Sequence, residues 1–183
     1  MTLQEIFAGC TAKPLLAEEP MAKHTSFRIG GPADLMAMPQ SEQELQQLLQ
    51  RAGEAKVPVT LIGNGSNLLV RDKGIRGLVI KLGNMLNDVA VDDCTLTFGS
   101  GVSLAAASRK AAELGLSGME FAVGIPGSIG GAVYMNAGAY DGEMAKVVTS
   151  VRVMELDGTI SESALGIRES LENAIKSMGK PLP

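Results

Sequence analysis

The stretch Gly124-Ile125-Pro126-Gly127-Ser128-Ile129-Gly130-Gly131-Ala132 sets four glycines, a proline and a serine among apolar residues. Glycine is entropically costly to order, so such a cluster usually serves a tight bend or the close approach of a ligand. A second loop, Gly63-Asn64-Gly65-Ser66-Asn67, also lies between apolar runs. Two glycine-rich loops in a chain of 183 residues predict a site for a large, phosphate-bearing ligand.

Composition narrows the classes of function. Apolar residues make up 45% of the chain, enough for the core of one domain or of two small lobes that share it. Only 3% of residues are aromatic and the net charge is -4, which disfavours nucleic acid and anionic membranes as partners. Two cysteines and one histidine, His24, predict neither a disulfide scaffold nor a metal site. We see no signal peptide and no membrane-spanning run, and therefore expect a cytoplasmic protein.

Hydrophobic periodicity and capping residues predict a mixed α+β chain. Thr2 with Glu5 predicts a short helix, Ser41 with Glu44 a helix to about residue 56, and Ser103 a helix to about residue 114. A further amphipathic helix is expected over residues 165–178. Strands are expected at 26–29, 35–38, 57–62, 78–82, 88–91, 95–98 and 147–156, with 88–91 and 95–98 forming a hairpin.

The two glycine loops leave alternatives open when they are taken singly. The loop at 63–67 is not a Walker A motif, because no Gly-Lys-Ser/Thr follows, and Leu68 breaks the Rossmann GxGxxG pattern. It could be a ligand-free tight turn, or its N–H groups could converge on a pyrophosphate. In the second loop, Pro126 and Gly127 could open a short helix that approaches a flat ring, or the small residues could serve close packing of the chain.

Three stretches carry a resemblance to a known family. They are His24-Thr25-Ser26-Phe27-Arg28-Ile29-Gly30-Gly31-Pro32-Ala33-Asp34, residues 63–72, and residues 118–132 with Met135-Asn136-Ala137-Gly138-Ala139-Tyr140. Together they resemble the UDP-N-acetylenolpyruvoylglucosamine reductases over nearly all of residues 20–160. The resemblance implies an α+β, two-lobed FAD-binding fold of the vanillyl-alcohol-oxidase (PCMH) type. It also implies noncovalent FAD, NADPH as reductant, and synthesis of UDP-N-acetylmuramate for peptidoglycan.

The resemblance assigns roles to individual positions. The cofactor-binding residues it implies are Gly63, Asn64, Gly65, Ser66, Asn67, Leu68, Ala122, Val123, Gly124, Ile125, Pro126, Gly127, Ser128, Gly130, Gly131 and Ala132. Residues 63–67 would hold the FAD pyrophosphate, and residues 122–132 would line the flavin and the path on its adenine side. Asn136 and Tyr140 would face the substrate side of the cleft. His24 is expected to be structural or solvated, and no metal is expected.

The resemblance weakens towards the end of the sequence. The family continues into a substrate-binding domain with a proton-donating serine and a glutamate, and neither has a counterpart in the printed residues. Arg168, in Gly166-Ile167-Arg168-Glu169-Ser170, is the one candidate for the family's catalytic arginine, although Ile167 replaces its tyrosine. The alternative is a solvated charge on an amphipathic helix.

We therefore expect an N-terminal helix with an extended segment over 1–22, FAD-binding lobes over 23–86 and 87–163, and a helical tail over 164–183. The first hypothesis is the FAD-binding part of such a reductase, acting on a UDP-sugar as a monomer, with self-association through an uncovered cleft as the alternative state. The alternative functions are a noncatalytic flavin-binding module or truncated remnant, and another flavin oxidoreductase of the same fold.

Overall fold

Ten strands and four α-helices form the described part of this computed structural model, residues 1–83 and 86–164. The strands are β1 (Leu16–Pro20), β2 (Pro32–Ala37), β3 (Val59–Ile62), β4 (Ile75–Lys81), β5 (Val89–Asp92), β6 (Thr95–Phe98), β7 (Gly138–Ala139), β8 (Gly142–Glu143), β9 (Ser150–Met154) and β10 (Ile160–Ala164). The α-helices are α1 (Leu3–Ile6), α2 (Glu42–Ala55), α3 (Leu104–Glu113) and α4 (Ile129–Tyr134). Single 3-10 turns lie at Met21–Lys23, Glu120–Ala122 and Met144–Lys146.

A four-stranded mixed sheet, in the order β1-β2-β4-β3, organises the first half of the chain. β1 runs antiparallel to β2, whereas β2, β4 and β3 are parallel. Ile62 at the end of β3 therefore lies beside Lys81 at the end of β4. The first glycine loop leaves the sheet from this shared carboxyl end.

Apolar side chains cover both faces of this sheet. On one face, α2 contributes Leu45, Leu48, Leu49 and Ala52, which pack on Leu35, Ala37, Leu78 and Ile80. The opposite face carries Met36, Ile62 and Val79, covered by Met21 and Val70. Burial of each large apolar side chain stabilises the fold by roughly 1.5–3 kcal/mol. Since Val70 follows the glycine loop closely, this second core also fixes where the loop lies.

A separate core forms in the second half of the chain, around α3 and α4. Its buried members are Val102, Leu104, Ala107, Phe121, Ala122, Ile129, Ala132 and Met144. Ser103 caps α3 and Ser128 caps α4, each through a side chain that accepts an N–H three residues later. Small residues on both helices allow their backbones to approach closely. Because α4 begins within the second glycine loop, this packing holds the loop against the second core.

The hairpin of β9 and β10 reaches back to α2 in the first half of the chain. Arg152 forms a bidentate ion pair with Glu42, with N–O distances of 2.6 and 2.9 Å. The Gln46 side-chain amide donates to the Gly158 carbonyl at 2.8 Å. The hydrogen bonds from Arg152 lower the pKa of the Glu42 carboxyl below its ordinary value. These contacts join the two halves across more than a hundred residues of sequence.

The predicted elements compare with the structure in detail. The Thr2 capping box, the Ser41 and Ser103 caps and the hairpin of β5 and β6 are confirmed. The predicted strand at 26–29 is wrong, because Arg28 adopts a φ of 54° and Gly30 one of 130°, which break extended backbone. The strand that pairs with β2 is instead β1, within the segment expected to be extended.

Smaller corrections concern element ends. Pro58 delays the start of β3, and β4 begins earlier than predicted, at Ile75. The 3-10 turn at Met144–Lys146 shortens the strand predicted over 147–156 to Ser150–Met154. The helix predicted over 165–178 lies outside the described residues, and the proposed domain boundaries remain predictions. Among the described helices, none has the length and apolar character needed to span a membrane.

Candidate functional site

The first glycine loop offers a row of free backbone donors. Residues 63–67 follow β3 directly, and within the described residues none of their N–H groups donates a hydrogen bond to the protein. Unpaired N–H groups in succession form a concave, partly positive surface that suits an anion. The loop therefore has the donor set that a pyrophosphate needs.

Gly65 seats this loop on the segment that carries His24. Its φ of 66° is left-handed, and a Cβ at this position would overlap the carbonyl oxygen of His24. The Ser26 N–H donates to the Gly65 carbonyl at 3.1 Å, which fixes the same contact from the other side. Glycine at position 65 is thus required by backbone conformation and by packing within the chain.

The two glycine loops touch each other. The Ser66 hydroxyl donates to the Pro126 carbonyl at 3.1 Å, across 60 residues of sequence. A Cβ at Gly63 would lie 2.6 Å from the Ser128 hydroxyl oxygen, and one at Gly127 would lie 3.2 Å from that of Ser66. The sequence predicted two loops that serve one ligand, and the structure brings them into direct contact.

The second loop is pinned from below by residues 100–104. The Gly130 N–H donates to the Ser100 carbonyl at 2.9 Å, and the Ile129 N–H donates to the Val102 carbonyl at 2.8 Å. A Cβ at Gly130 would lie 2.8 Å from the Ser100 Cβ. Ser100 also has a buried hydroxyl with no hydrogen-bond partner in the described part of the chain. Sequence reasoning missed the Ser100 contact, which no local pattern signals.

Two glycines of the second loop face open space instead. A Cβ at Gly124 would meet nothing within 4 Å, and one at Gly131 would meet only the Ser128 hydroxyl, at 3.4 Å. Val123 beside them is 66% exposed. Neither glycine has a positive φ, so neither backbone conformation nor packing explains them. The backbone at these two glycines therefore leaves room for a ligand to lie flat against it.

Other predicted cofactor residues occupy supporting positions. Ala122 and Ala132 are buried in the second core, and Leu68 packs against the core beneath the first loop. Pro126 is exposed, while Ile125 is partly buried. Ala122, Ala132 and Leu68 therefore support the backbone of the site from beneath. Arg168 lies outside the described residues.

Asn136 and Tyr140 belong to a tight hairpin beside α4. The Asn136 side chain accepts from the Ala145 N–H at 2.9 Å and donates to the Glu143 carboxylate at 3.1 Å. Tyr140, in the turn between β7 and β8, has a φ of 50° and is 93% exposed. Asn136 therefore holds the hairpin together, and the hairpin presents Tyr140 to solvent.

Glu19, His24 and Lys81 form a hydrogen-bonded triad next to the first loop. His24 Nε2 lies 3.0 Å from Glu19 Oε1, and Lys81 Nζ lies 3.0 Å from His24 Nδ1. The bond from His24 lowers the pKa of the Glu19 carboxyl, and burial lowers the pKa of the Lys81 ammonium. Sequence analysis predicted only that His24 is structural or solvated. It did not predict the triad, because Lys81 is far from Glu19 and His24 in the sequence.

Comparison with known proteins identifies the family. A family described as FAD binding domain matches residues 33–163, which is most of the chain. The chain belongs to this family. The match includes both glycine loops, so the predicted FAD cofactor is confirmed at the level of the family.

Two curated relatives of this FAD-binding domain have the same name. The chain is 49% identical over 157 residues to a UDP-N-acetylenolpyruvoylglucosamine reductase of Syntrophomonas wolfei, covering 86% of the chain and 52% of that protein. It is 52% identical over 158 residues to the enzyme of the same name from Agathobacter rectalis, covering 80% of the chain and 50% of that protein. The chain thus spans about half the length of these curated relatives. The resemblance read from the sequence is confirmed for that half.

Solved structures agree with the predicted fold class. UDP-N-acetylenolpyruvylglucosamine reductase from Thermus caldophilus matches with a TM-score of 0.66 and 29% identity, over 92% of this chain and 70% of that one. 6-Hydroxy-D-nicotine oxidase from Arthrobacter nicotinovorans matches with a TM-score of 0.63 and 17% identity, over 84% of this chain and 36% of that one. The second likeness shows the fold alone. The α+β fold of PCMH-type FAD-binding domains is confirmed for the FAD-binding domain described here.

Proposed function

We propose that this chain is the FAD-binding part of a UDP-N-acetylenolpyruvoylglucosamine reductase. It binds FAD noncovalently, takes its electrons from NADPH, and serves the reduction of UDP-N-acetylglucosamine enolpyruvate to UDP-N-acetylmuramate in the cytoplasm. The observation that carries this proposal is the contact between the glycine loops, because it joins a row of free N–H donors to an open, glycine-lined surface. Pyrophosphate and flavin ring require these two surfaces side by side.

The residues of the chain have separate tasks in this proposal. The N–H groups of residues 63–67 hold the pyrophosphate, and Gly124 and Gly131 leave room for the ring system. Ser66 fixes the spacing between the loops by its bond to the Pro126 carbonyl, and Ser128 caps α4 by accepting from the Gly131 N–H. Tyr140 lies on the substrate side, held by the hairpin that Asn136 ties together. When bound, FAD supplies the transfer of hydride from NADPH to the enolpyruvyl double bond, which no side chain can perform.

Titration of the purified chain with FAD tests the first part of the proposal. We expect quenching of flavin fluorescence at one FAD per chain, and release of the flavin into the supernatant on acid precipitation. Gly124→Leu should abolish binding, because its side chain would occupy the open surface without disturbing the fold. Gly53→Leu, at a helical glycine whose Cβ would also meet nothing within 4 Å, is the matched control and should bind normally.

The flavin chemistry of the chain tests the second part of the proposal, the class of reaction. Anaerobic reduction of the bound flavin by NADPH, followed by reoxidation with the enolpyruvyl UDP-sugar, is the expected result for the reductase. Reduction followed by reoxidation with a different acceptor, but not with this substrate, would favour another flavin oxidoreductase. Binding without reduction would favour a noncatalytic flavin-binding module. A titration of the unaltered chain that does not differ from a buffer blank would refute the FAD site itself. Normal FAD binding by Gly124→Leu would refute the assignment of the ring to the open surface.

A further inference from the structure

The Lys81 side chain is anchored at both ends next to the first glycine loop. Its backbone pairs with Ile62, the residue that directly precedes Gly63, across the parallel strands β3 and β4. Its ammonium lies 3.0 Å from His24, and the His24 carbonyl is the group on which Gly65 rests. Lys81 therefore lies on the sheet face that carries Ile62 and Val79, beside the strand end from which the loop leaves.

The charge of Lys81 has no direct counter-charge in the protein. No carboxylate among the described residues lies within ion-pair distance of its ammonium, and its one hydrogen bond goes to the imidazole. Glu19 lies on the far side of His24, bonded to Nε2. Since a carboxylate accepts, Nε2–H donates to Glu19 and leaves Nδ1 to accept from Lys81. The triad is thus polarised, with the Glu19 carboxylate at its negative end and the Lys81 ammonium at its positive end.

A partly buried ammonium is costly without a nearby anion, and burial lowers the pKa of Lys81 accordingly. An ammonium has three N–H donors, so donors remain beyond the one used by His24. A pyrophosphate on the N–H groups of residues 63–67 would supply the missing negative charge. The loop alone offers only backbone dipoles, which orient an anion but carry no net charge.

We propose that Lys81, positioned by His24 and Glu19, is the positive counter-charge for the pyrophosphate of the dinucleotide bound at the first glycine loop. The proposal rests on the FAD site of the proposed function. It gives Lys81 an electrostatic role in binding, and it makes His24 a positioning residue that acts through Lys81.

The test compares the FAD affinity of the unaltered chain with that of three variants, by fluorescence titration over a range of salt concentrations. Lys81→Met keeps the aliphatic stem and removes the charge, and should weaken FAD binding about 10- to 100-fold. It should also flatten the dependence of Kd on salt, because a screened charge contact is lost. Lys81→Arg should stay near the unaltered chain. Lys23→Met is the control, since Lys23 pairs with the same Glu19 at 3.3 Å but is 64% exposed.

His24 variants test the positioning role independently. His24→Gln can accept from Lys81 and donate to Glu19, and should preserve FAD affinity, whereas His24→Leu should weaken it. The loss from His24→Leu should disappear when Lys81 is already methionine, because the two residues act through one charge. This double-mutant cycle separates positioning from a general effect on the fold.

Three results would overturn the proposal. One is FAD affinity of Lys81→Met equal to that of the unaltered chain. Another is weaker binding with an unchanged salt dependence, which would indicate a packing role. A third is equal affinity of His24→Leu and His24→Gln. Absence of FAD binding by the unaltered chain would instead refute the proposed function, and this proposal with it.

Discussion

Replacement of Gly65 by alanine should separate conformational strain from packing at the first glycine loop. An alanine at this position must adopt a φ of 66°, and its Cβ would overlap the carbonyl oxygen of His24. A left-handed conformation costs an L-residue about 1–2 kcal/mol. Overpacking against backbone that cannot yield adds about 1–3 kcal/mol. We therefore expect Gly65→Ala to lower the free energy of unfolding by about 2–5 kcal/mol.

Two other glycines serve as matched controls for the conformational cost. Gly9 and Gly115 have φ values of 77° and 71°, and a Cβ at either would meet nothing within 4 Å. Alanine there incurs only the conformational cost, partly offset because the unfolded chain also loses freedom. Gly9→Ala and Gly115→Ala should therefore each cost about 1 kcal/mol.

Equilibrium unfolding in urea without FAD measures these differences, and FAD titration follows the same variants. Gly65→Ala should bind FAD much more weakly, because relief of the overlap moves the loop away from His24. Gly115→Ala should bind FAD as the unaltered chain does. Equal losses of stability in Gly65→Ala and Gly115→Ala would show that the contact with His24 is not tight, and would refute the packing argument.

Three further variants probe other contacts. Ser66→Ala removes the bond between the loops, and should cost about 0.5–1.5 kcal/mol in urea unfolding and weaken FAD binding several-fold. Glu42→Gln should lower the melting temperature at neutral pH. Because Arg152 depresses the folded-state pKa of Glu42, the ion pair stabilises the fold above the ordinary carboxyl pKa and this stabilisation disappears in acid. The melting temperatures of the variant and the unaltered chain should therefore converge in acid. Asn136→Asp places a second carboxylate against Glu143, where the amide now donates at 3.1 Å. Its melting temperature should fall at neutral pH and recover in acid, and no change would mean that the hairpin tolerates the repulsion.

Strong local patterns made much of the fold predictable. In α2, the cap at Ser41 and the apolar spacing from Leu45 to Ala52 agree, so propensity, capping and burial all favour one helix. The hairpin of β5 and β6 was equally predictable, because a turn at Asp92-Asp93 separates two alternating runs, and Asp93 does adopt a φ of 50°.

Weak local patterns failed where tertiary contacts decide the backbone. Residues 26–29 alternate as a strand would, yet Thr25 bonds the Ile29 carbonyl at 3.2 Å and Arg28 turns to a positive φ. The segment is shaped by its contact with Gly65, which lies almost forty residues later in the sequence. β10 was not predicted at all, because its five short or polar residues give no clear strand pattern until they pair with β9. No window along the sequence contains that information.

The site shows the same division within a single motif. The density of glycine over residues 124–131 indicated a ligand, but Gly130 is explained by the Ser100 backbone beneath it, as Gly65 is by His24. Gly124 and Gly131 are not explained by packing, since a Cβ at Gly124 would meet nothing within 4 Å and one at Gly131 only the Ser128 hydroxyl. Not every glycine of such a motif therefore lies on the ligand-binding surface. The packing glycines set how close the two loops come, and the exposed glycines decide what can lie on them. Only the latter should tolerate larger residues without loss of stability, and only the latter should lose FAD affinity when they do.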